Sequence, residues 1–416
     1  MTDAPDCSVD ASICWDYGTE KEDSIHRIHS YPAKFPAFIT TNAIEYAKQK
    51  GIDVQIVADT FCGCGTSAVE AIKNGKVFWG CDINPVAVLI AKVKTHRFRD
   101  STLIRYFEAI EDDYCRTAPT KSDYAWITDR IRYWFSDATL ADLIRLDNAI
   151  RSQTPEYSMH RKFFLCGFSN ILKPTSRWLT KSIKPQVDPN KPPKGVIQAF
   201  EEQFRLMRKA NQNNTLPASR KIHIQTQNFL ADKNAGPKAD LIVTSPPYVT
   251  SYNYADIHQL STMWLRYASD YRDLRKNMLG NQYGIKAPAE EKIKRLGARA
   301  WKTYTGLKNK DMGKANSVAR YCLDIDATVS KCRKMLNPRG MAVFVIGNTQ
   351  YKSVNIDNSA LVKDCMRRAN FREVKVFPRK ISRKMMTPYR DEKGRFTQDS
   401  EQRKVYADEF VVVGQV

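Results

Sequence analysis

Apolar positions along the chain fall into two recurrent spacings. Dense or alternating apolar runs, bounded by glycine, proline, asparagine or aspartate, predict strands at Val54–Phe61, Lys76–Ile83, Lys221–Asn228, Leu241–Thr244, Met341–Gly347, Glu373–Phe377 and Glu409–Val416. Apolar residues three and four apart predict helices at Thr40–Lys50, Ala68–Asn74, onward from Asn84-Pro85, and at Tyr254–Tyr267, Ser317–Leu336 and Asp357–Ala369. Thr40 or Thr41 can cap the first helix, Gly75 ends the second, and Pro85 suits the first position of the third. The order strand, glycine loop, helix, strand, acid, helix is the βαβ signature of a doubly wound, nucleotide-binding sheet. From about residue 97 to 220 the strand signal fades. Leu103–Cys115, Leu140–Arg151, His160–Leu172 and Val196–Asn211 read as amphipathic helices, with a basic, proline-broken segment, Lys173–Gly195, between the last two. The expected organisation is a lead-in at 1–24, an α/β domain at 25–96 and 221–416, and a mainly helical insertion at 97–220. Within the α/β domain, residues 270–316 form a polar, basic insertion carrying Tyr283, Trp301 and Tyr304.

Composition narrows the partners. The chain has 416 residues, 42% of them hydrophobic, enough for one large or two ordinary domains. Its formal net charge of +21 points to a polyanion, nucleic acid first; a solvated basic surface without a specific partner is the alternative. No apolar run approaches the roughly 18 residues of a spanning helix, and the acidic N-terminal segment has no signal-peptide core. A cytoplasmic location in a prokaryotic cell, at the nucleoid when bound to DNA and away from membranes, is expected. The ten cysteines include no Cys-x-x-Cys pair, and Cys81, Cys166, Cys332 and Cys365 sit in apolar contexts. Reduced thiols are expected, with neither disulfides nor a metal.

Three short stretches carry candidate chemistry. Leu241–Thr244 runs into Ser245-Pro246-Pro247-Tyr248. Prolines cannot donate to a sheet ladder and fix φ, so the strand must end there in a stiff turn. The tip presents a hydroxyl, restrained carbonyls and a large ring, a set suited to a flat, amine-bearing ring; an ordinary proline turn is the bland alternative. The loop Asp59-Thr60-Phe61-Cys62-Gly63-Cys64-Gly65-Thr66 has two glycines that allow a tight turn and close ligand approach. It is neither a Walker loop nor a full dinucleotide fingerprint. Asp82 ends the next strand about 20 residues on, where an acid can bind both hydroxyls of a ribose; a helix-capping role is the alternative.

Together, DTFCGCGTSAVEA, WGCDINPVAV and ADLIVTSPPY resemble the S-adenosylmethionine-dependent DNA amino-methyltransferases, which methylate N4 of cytosine or N6 of adenine. The resemblance covers residues 25–95, 221–268 and 330–416, and implies a Rossmann-like methyltransferase sheet with helices on both faces. It implies S-adenosylmethionine as cofactor, held by Asp59, Phe61, Gly63, Gly65, Thr66 and Ser67 of motif I, and by Asp82 and Ile83 of motif II. IHSYPAKFP resembles motif X and adds Tyr31, Pro32 and Phe35. Asn228 stands near where motif III usually carries Asp, a departure bearing on adenine contact. Ser245, Pro246, Pro247 and Tyr248 match motif IV, the catalytic segment. The motif order X, I, II, insertion, III, IV leaves either insertion as the DNA-reading element. The resemblance also implies double-stranded DNA as substrate and a restriction-modification or defence partner.

In this family the poorly nucleophilic amine is helped by acceptors at its N–H groups, here the Ser245 hydroxyl and the Pro246 carbonyl, while Tyr248 stacks on a flipped-out base. Serine at the first motif IV position leans towards N4-cytosine; N6-adenine is the runner-up, and an RNA methyltransferase of the same fold is a second alternative. No Pro-Cys dipeptide is present for a covalent C5 mechanism. A non-catalytic nucleic-acid-binding protein would have little use for the intact glycine loop, Asp82 and motif IV.

Overall fold

Seven strands form one sheet: β1 (Ile56–Asp59), β2 (Val77–Asp82), β3 (Ile222–Thr226), β4 (Ala239–Thr244), β5 (Leu336–Gly347), β6 (Glu373–Lys380) and β7 (Asp408–Gln415). The computed structural model describes residues 13, 15–16, 22–32, 34–217, 221–232, 236–249, 254–280, 287–380, 389–390, 396–397, 403–404 and 408–416. The sheet order is β3-β2-β1-β4-β5-β7-β6. Only β7 runs antiparallel, to both β5 and β6; the other neighbours pair in parallel. The connections run outward in opposite directions from β1 and β4. The crevice outside the carboxyl ends of these two strands is therefore the topological switch point, where open α/β sheets bind ligands.

The period-2 alternation of the strands assigns the two faces. Val57, Leu241, Val243, Val343, Val345, Val411 and Val413 pack with Ile39, Ala43 and Ala47 of α1 (Phe38–Gln49). Ala58, Ile242, Phe344, Ile346 and Val412 point the other way, into one cluster with α8 (Ala298–Lys308), α9 (Met312–Met335) and α10 (Asn358–Arg368). Helices α2 (Thr66–Lys73) and α3 (Pro85–Lys94) are apolar on two sides. Ala68, Ala71, Val88 and Ala91 face the sheet. Val69, Ile72, Leu89, Ile90 and Val93 face the helical insertion. That insertion comprises α4 (Asp100–Arg116), α5 (Asp137–Gln153), α6 (Met159–Thr175) and α7 (Val196–Gln212). Stacked rings tie it together: Phe107 lies on Phe204 at 3.9 Å and Trp134 on Trp178 at 5.0 Å.

Several segments depart from the sequence expectation. The strand expected from Met341 begins at Leu336, so residues 337–340 lie within β5; the β4–β5 register shifts between Ala239 and Leu241 and takes up the extra residues as an irregularity. The polar, basic stretch 270–316 contributes to the core: Ile293, Leu296, Tyr304 and Leu307 are buried on short helices against α9. The lead-in is tied down where it is described, since Trp15 packs on Tyr46 and Phe377. The strand expected to end at Phe377 runs on to Lys380, and Arg379 is buried near its end. Tyr252, Tyr283, Arg383 and Lys384 lie outside the described residues. No helix is long and apolar enough to cross a membrane among the described residues.

Candidate active site at the switch point

A cavity of about 720 Å³ opens at the carboxyl ends of β1, β2, β3 and β4. Tyr31, Phe35, Phe61, Gly63, Thr66, Asp82, Ile83 and Asn228 line it, together with Ser245, Pro247 and Tyr248. Thus stretches as far apart in sequence as Gly63 and Ser245 meet in one space, as the parallel order requires.

The glycine loop is shaped by backbone constraints. Gly63 and Gly65 take φ of +47° and +78°. A Cβ on Gly65 would stand 2.7 Å from the Ala91 Cβ, so this glycine also lets α2 approach α3. The Tyr31 ring lies over Gly63 and stacks on His258 at 5.0 Å. Burial pushes His258 down to about 4, so this imidazole is neutral at physiological pH.

Asp82 is held from both sides. Gly63 N donates to its Oδ2 and Asn84 N to its Oδ1, each at 2.8 Å. The α3 cap is made by Asn84, whose Oδ1 accepts from Val86 N at 3.0 Å, which leaves Asp82 free of that duty. Each Asp82 oxygen keeps acceptor capacity. Burial pushes its carboxyl up to about 6, against the opposing pull of the two amides. A ribose diol suits such a fixed pair of acceptors.

Four other expected ligands are placed differently. Asp59 is buried outside the cavity wall: it accepts from Ser67 Oγ, from Thr244 Oγ1 at 2.7 Å and from Phe61 N at 3.0 Å. Its carboxyl is likewise pushed up to about 6 by burial. Asp59 and Ser67 therefore lock the glycine loop to the end of β4. Gly65, beneath the loop, and half-buried Pro32 also lie off the cavity wall. Asn228 does face the cavity; its Oδ1 accepts from Leu230 N and Ala231 N, fixing the turn after β3. Lys34 reaches the cavity too, but its ammonium is paired with Glu22 at 3.1 Å.

At the tip of β4, Pro246 is buried, while Ser245, Pro247 and Tyr248 are half-exposed. The Tyr248 hydroxyl donates to Glu409 Oε1 at 2.8 Å. Burial, then the Glu409 charge, pushes the phenol well above its ordinary value.

Sequence reasoning missed one wall. Lys314, Ser317, Tyr321 and Asp324 line the cavity from a single face of α9, and residues 275–280 add a rim. The spacing of three and four between those polar side chains was the available signal. Glu409 gave none, because its role depends on pairing across the sheet. Among the described residues no group of His, Cys, Asp and Glu could hold a metal.

The chain is similar to several known proteins. A family model described as DNA methylase, of the N6/N4 type, matches residues 10–93. The type II methyltransferase M.MvaI of Kocuria varians is 24% identical over 397 residues, covering 88% of this chain and 86% of that protein. M.MjaII of Methanocaldococcus jannaschii, also a type II methyltransferase, is 33% identical over 93 residues, 22% of this chain and 17% of its own. Among solved structures, the rRNA methyltransferase aviRa of Streptomyces viridochromogenes aligns over 97% of this chain and 96% of its own, at a TM-score of 0.32 and 9% identity.

Proposed function

We propose that this chain is a DNA amino-methyltransferase of the N6/N4 class, with S-adenosylmethionine as methyl donor, and that it methylates the N4 amine of a cytosine flipped out of duplex DNA. The observation that carries this is the shared cavity: the Ser245-Pro246-Pro247-Tyr248 tip opens into the space bounded by the glycine loop and Asp82.

The residues present fit the cofactor. Asp82 offers two fixed oxygens to a ribose, Ile83 and Phe61 add apolar wall, and Asn228 lies beyond them. Tyr31 and Phe35 flank the glycine loop at the methionine end, with Gly63 and Thr66 at the start of α2. Asp59, Ser67 and Gly65 hold that loop in shape from behind. When bound, S-adenosylmethionine supplies an electrophilic methyl group on a sulfonium.

The chain's part is placement. A cytosine amine is conjugated with its ring and becomes nucleophilic only as its N–H groups turn towards acceptors. Ser245, which lines the cavity, supplies the acceptor, and the two prolines restrain its backbone in advance, so little reorganisation accompanies attack. Tyr248 offers a ring face on which a base stacks, returning roughly 1–3 kcal/mol of the few kcal/mol spent on unstacking. The amine nitrogen gains the methyl and then loses one proton to water. A serine, rather than an acid or amide, at the first motif position supports cytosine over adenine; N6-adenine is the runner-up. The relatives' type II names support a restriction-modification setting with a cognate nuclease.

Ser245→Ala tests the assignment: S-adenosylmethionine still binds, and transfer of labelled methyl to DNA falls about 10- to 100-fold, as expected for an acceptor used in the transition state. Unchanged transfer would remove Ser245 from the mechanism.

A further inference from the structure

Residues 28–31 belong to neither a helix nor a strand, so their backbone groups need partners from elsewhere. Two carboxamides of the helical insertion supply them. Ser30 N donates to Asn170 Oδ1 at 2.9 Å, and Gln203 Nε2 donates to Ile28 O at 2.7 Å. Asn170 Nδ2 donates to Gln203 Oε1 at 2.7 Å, which closes the circuit. Asn170 stands on α6 and Gln203 on α7, both far from the loop in sequence. Between the two gripped groups His29 is buried, with its Nε2 3.0 Å from Ser169 Oγ. Ser169 Oγ in turn bonds Ser261 Oγ at 2.9 Å, on the short helix Gln259–Trp264 that follows the β4 tip.

The chemistry of the carboxamides fixes the circuit. Each offers an acceptor oxygen and a donor nitrogen, and Asn170 and Gln203 each use both. Turning either amide over would set oxygen against oxygen or nitrogen against N–H, so each holds the other in one orientation. Tyr31 follows directly after the gripped residues. Its ring lies over Gly63, stacks on His258 at 5.0 Å and lines the cavity. With Ile28 and Ser30 held, that ring is set over the glycine loop in advance, and ligand binding does not have to order it.

We infer that Asn170 and Gln203 are positioning residues for cofactor binding, which grip the backbone at Ile28 and Ser30 and so hold Tyr31 over the glycine loop. This rests on the proposed place of S-adenosylmethionine beside Tyr31. It gives the helical insertion a task at the cofactor, whether or not the insertion also reads DNA. Through Ser169 and Ser261 the same helix, α6, joins the Tyr31 loop to the segment after the β4 tip.

The test is Gln203→Met, Asn170→Leu and the double variant, which remove the amides at similar side-chain size. Calorimetric titration with S-adenosylmethionine reads affinity, and methyl transfer to unmethylated bacterial genomic DNA reads turnover. Affinity is expected to fall about tenfold in each single variant, the scale of one or two hydrogen bonds, while turnover at saturating S-adenosylmethionine stays within about twofold of wild type. The double variant should lose little more than either single one, because both break one circuit. Phe204→Ala is the packing control: it neighbours Gln203 on α7, but its ring stacks on Phe107 inside the insertion. It is expected to lower the denaturant midpoint at least as far as Q203M and to leave cofactor affinity at the wild-type level. Wild-type affinity in either single variant, or equal losses of affinity in F204A and Q203M, would overturn the inference. Tyr31→Ala separates it from the cofactor reading. Weakened binding in Y31A beside wild-type binding in Q203M would keep the cofactor at Tyr31 and discard the circuit. Wild-type binding in Y31A, or no binding by the unaltered protein, would remove the cofactor from this loop and the inference with it.

Discussion

At the scale of single residues, the site divides into side chains that face the cavity and side chains that hold those in place. Asp82 belongs to the first group and Asp59 to the second, although both are aspartates at strand ends with carboxyls pushed up to about 6 by burial. Sequence placed both at the cofactor, Asp59 because it opens the glycine loop and Asp82 because it ends the next strand about 20 residues on. It could not show that Asp59 spends its oxygens on Ser67, Thr244 and Phe61, since Thr244 lies on another strand. The pH dependence follows from Asp82. Its carboxyl is ionised above about pH 6 and protonated below it. Affinity for S-adenosylmethionine is therefore expected to be level between pH 7 and 8 and to weaken as pH falls through about 6. Asp82→Asn should bind about 10- to 100-fold more weakly at neutral pH, the scale of hydrogen bonds to a charged group, with that pH dependence gone; calorimetric titration across pH reads both. Retention of the wild-type profile in D82N would move the ribose contact elsewhere.

At the scale of elements, β1, its glycine loop and α2 were legible because each is specified by neighbours in sequence: an apolar run, two glycines and a helical repeat. Gly65 is the sharpest case, with φ at +78° and Ala91 in the way of any Cβ. Gly65→Ala is expected to destabilise the fold by about 2–4 kcal/mol, from backbone strain and overpacking against α3. The readout is a lower denaturant midpoint at an unchanged slope. A midpoint equal to wild type would mean that the loop relaxes without cost. The cavity wall on α9 was harder to foresee. Lys314, Ser317, Tyr321 and Asp324 share a helix face, but nothing local says that this face closes a pocket whose other wall is the β4 tip, far back in sequence. Likewise β7 read correctly as a strand, while the pairing of Glu409 with Arg379 and Tyr248 emerged only from its antiparallel placement between β5 and β6.

At the scale of the whole molecule, the sheet order puts every recognised motif on one edge, and the helical insertion packs behind α2 and α3 through their second apolar side. A chain of net charge +21 that holds duplex DNA does so largely through phosphates, so counterion release should dominate. The logarithm of DNA affinity is expected to fall linearly and steeply with the logarithm of salt concentration, while S-adenosylmethionine affinity barely changes; fluorescence anisotropy at several salt concentrations distinguishes this from a salt-insensitive interface. The proposed transfer of methyl to a cytosine amine at the β4 tip is tested most directly by digesting DNA treated with the protein and isotope-labelled S-adenosylmethionine, and identifying the labelled nucleoside by mass spectrometry. The expected product is N4-methylcytosine. Label in N6-methyladenine would contradict the choice of base, and label absent from DNA but present in a parallel RNA sample would contradict the proposed substrate.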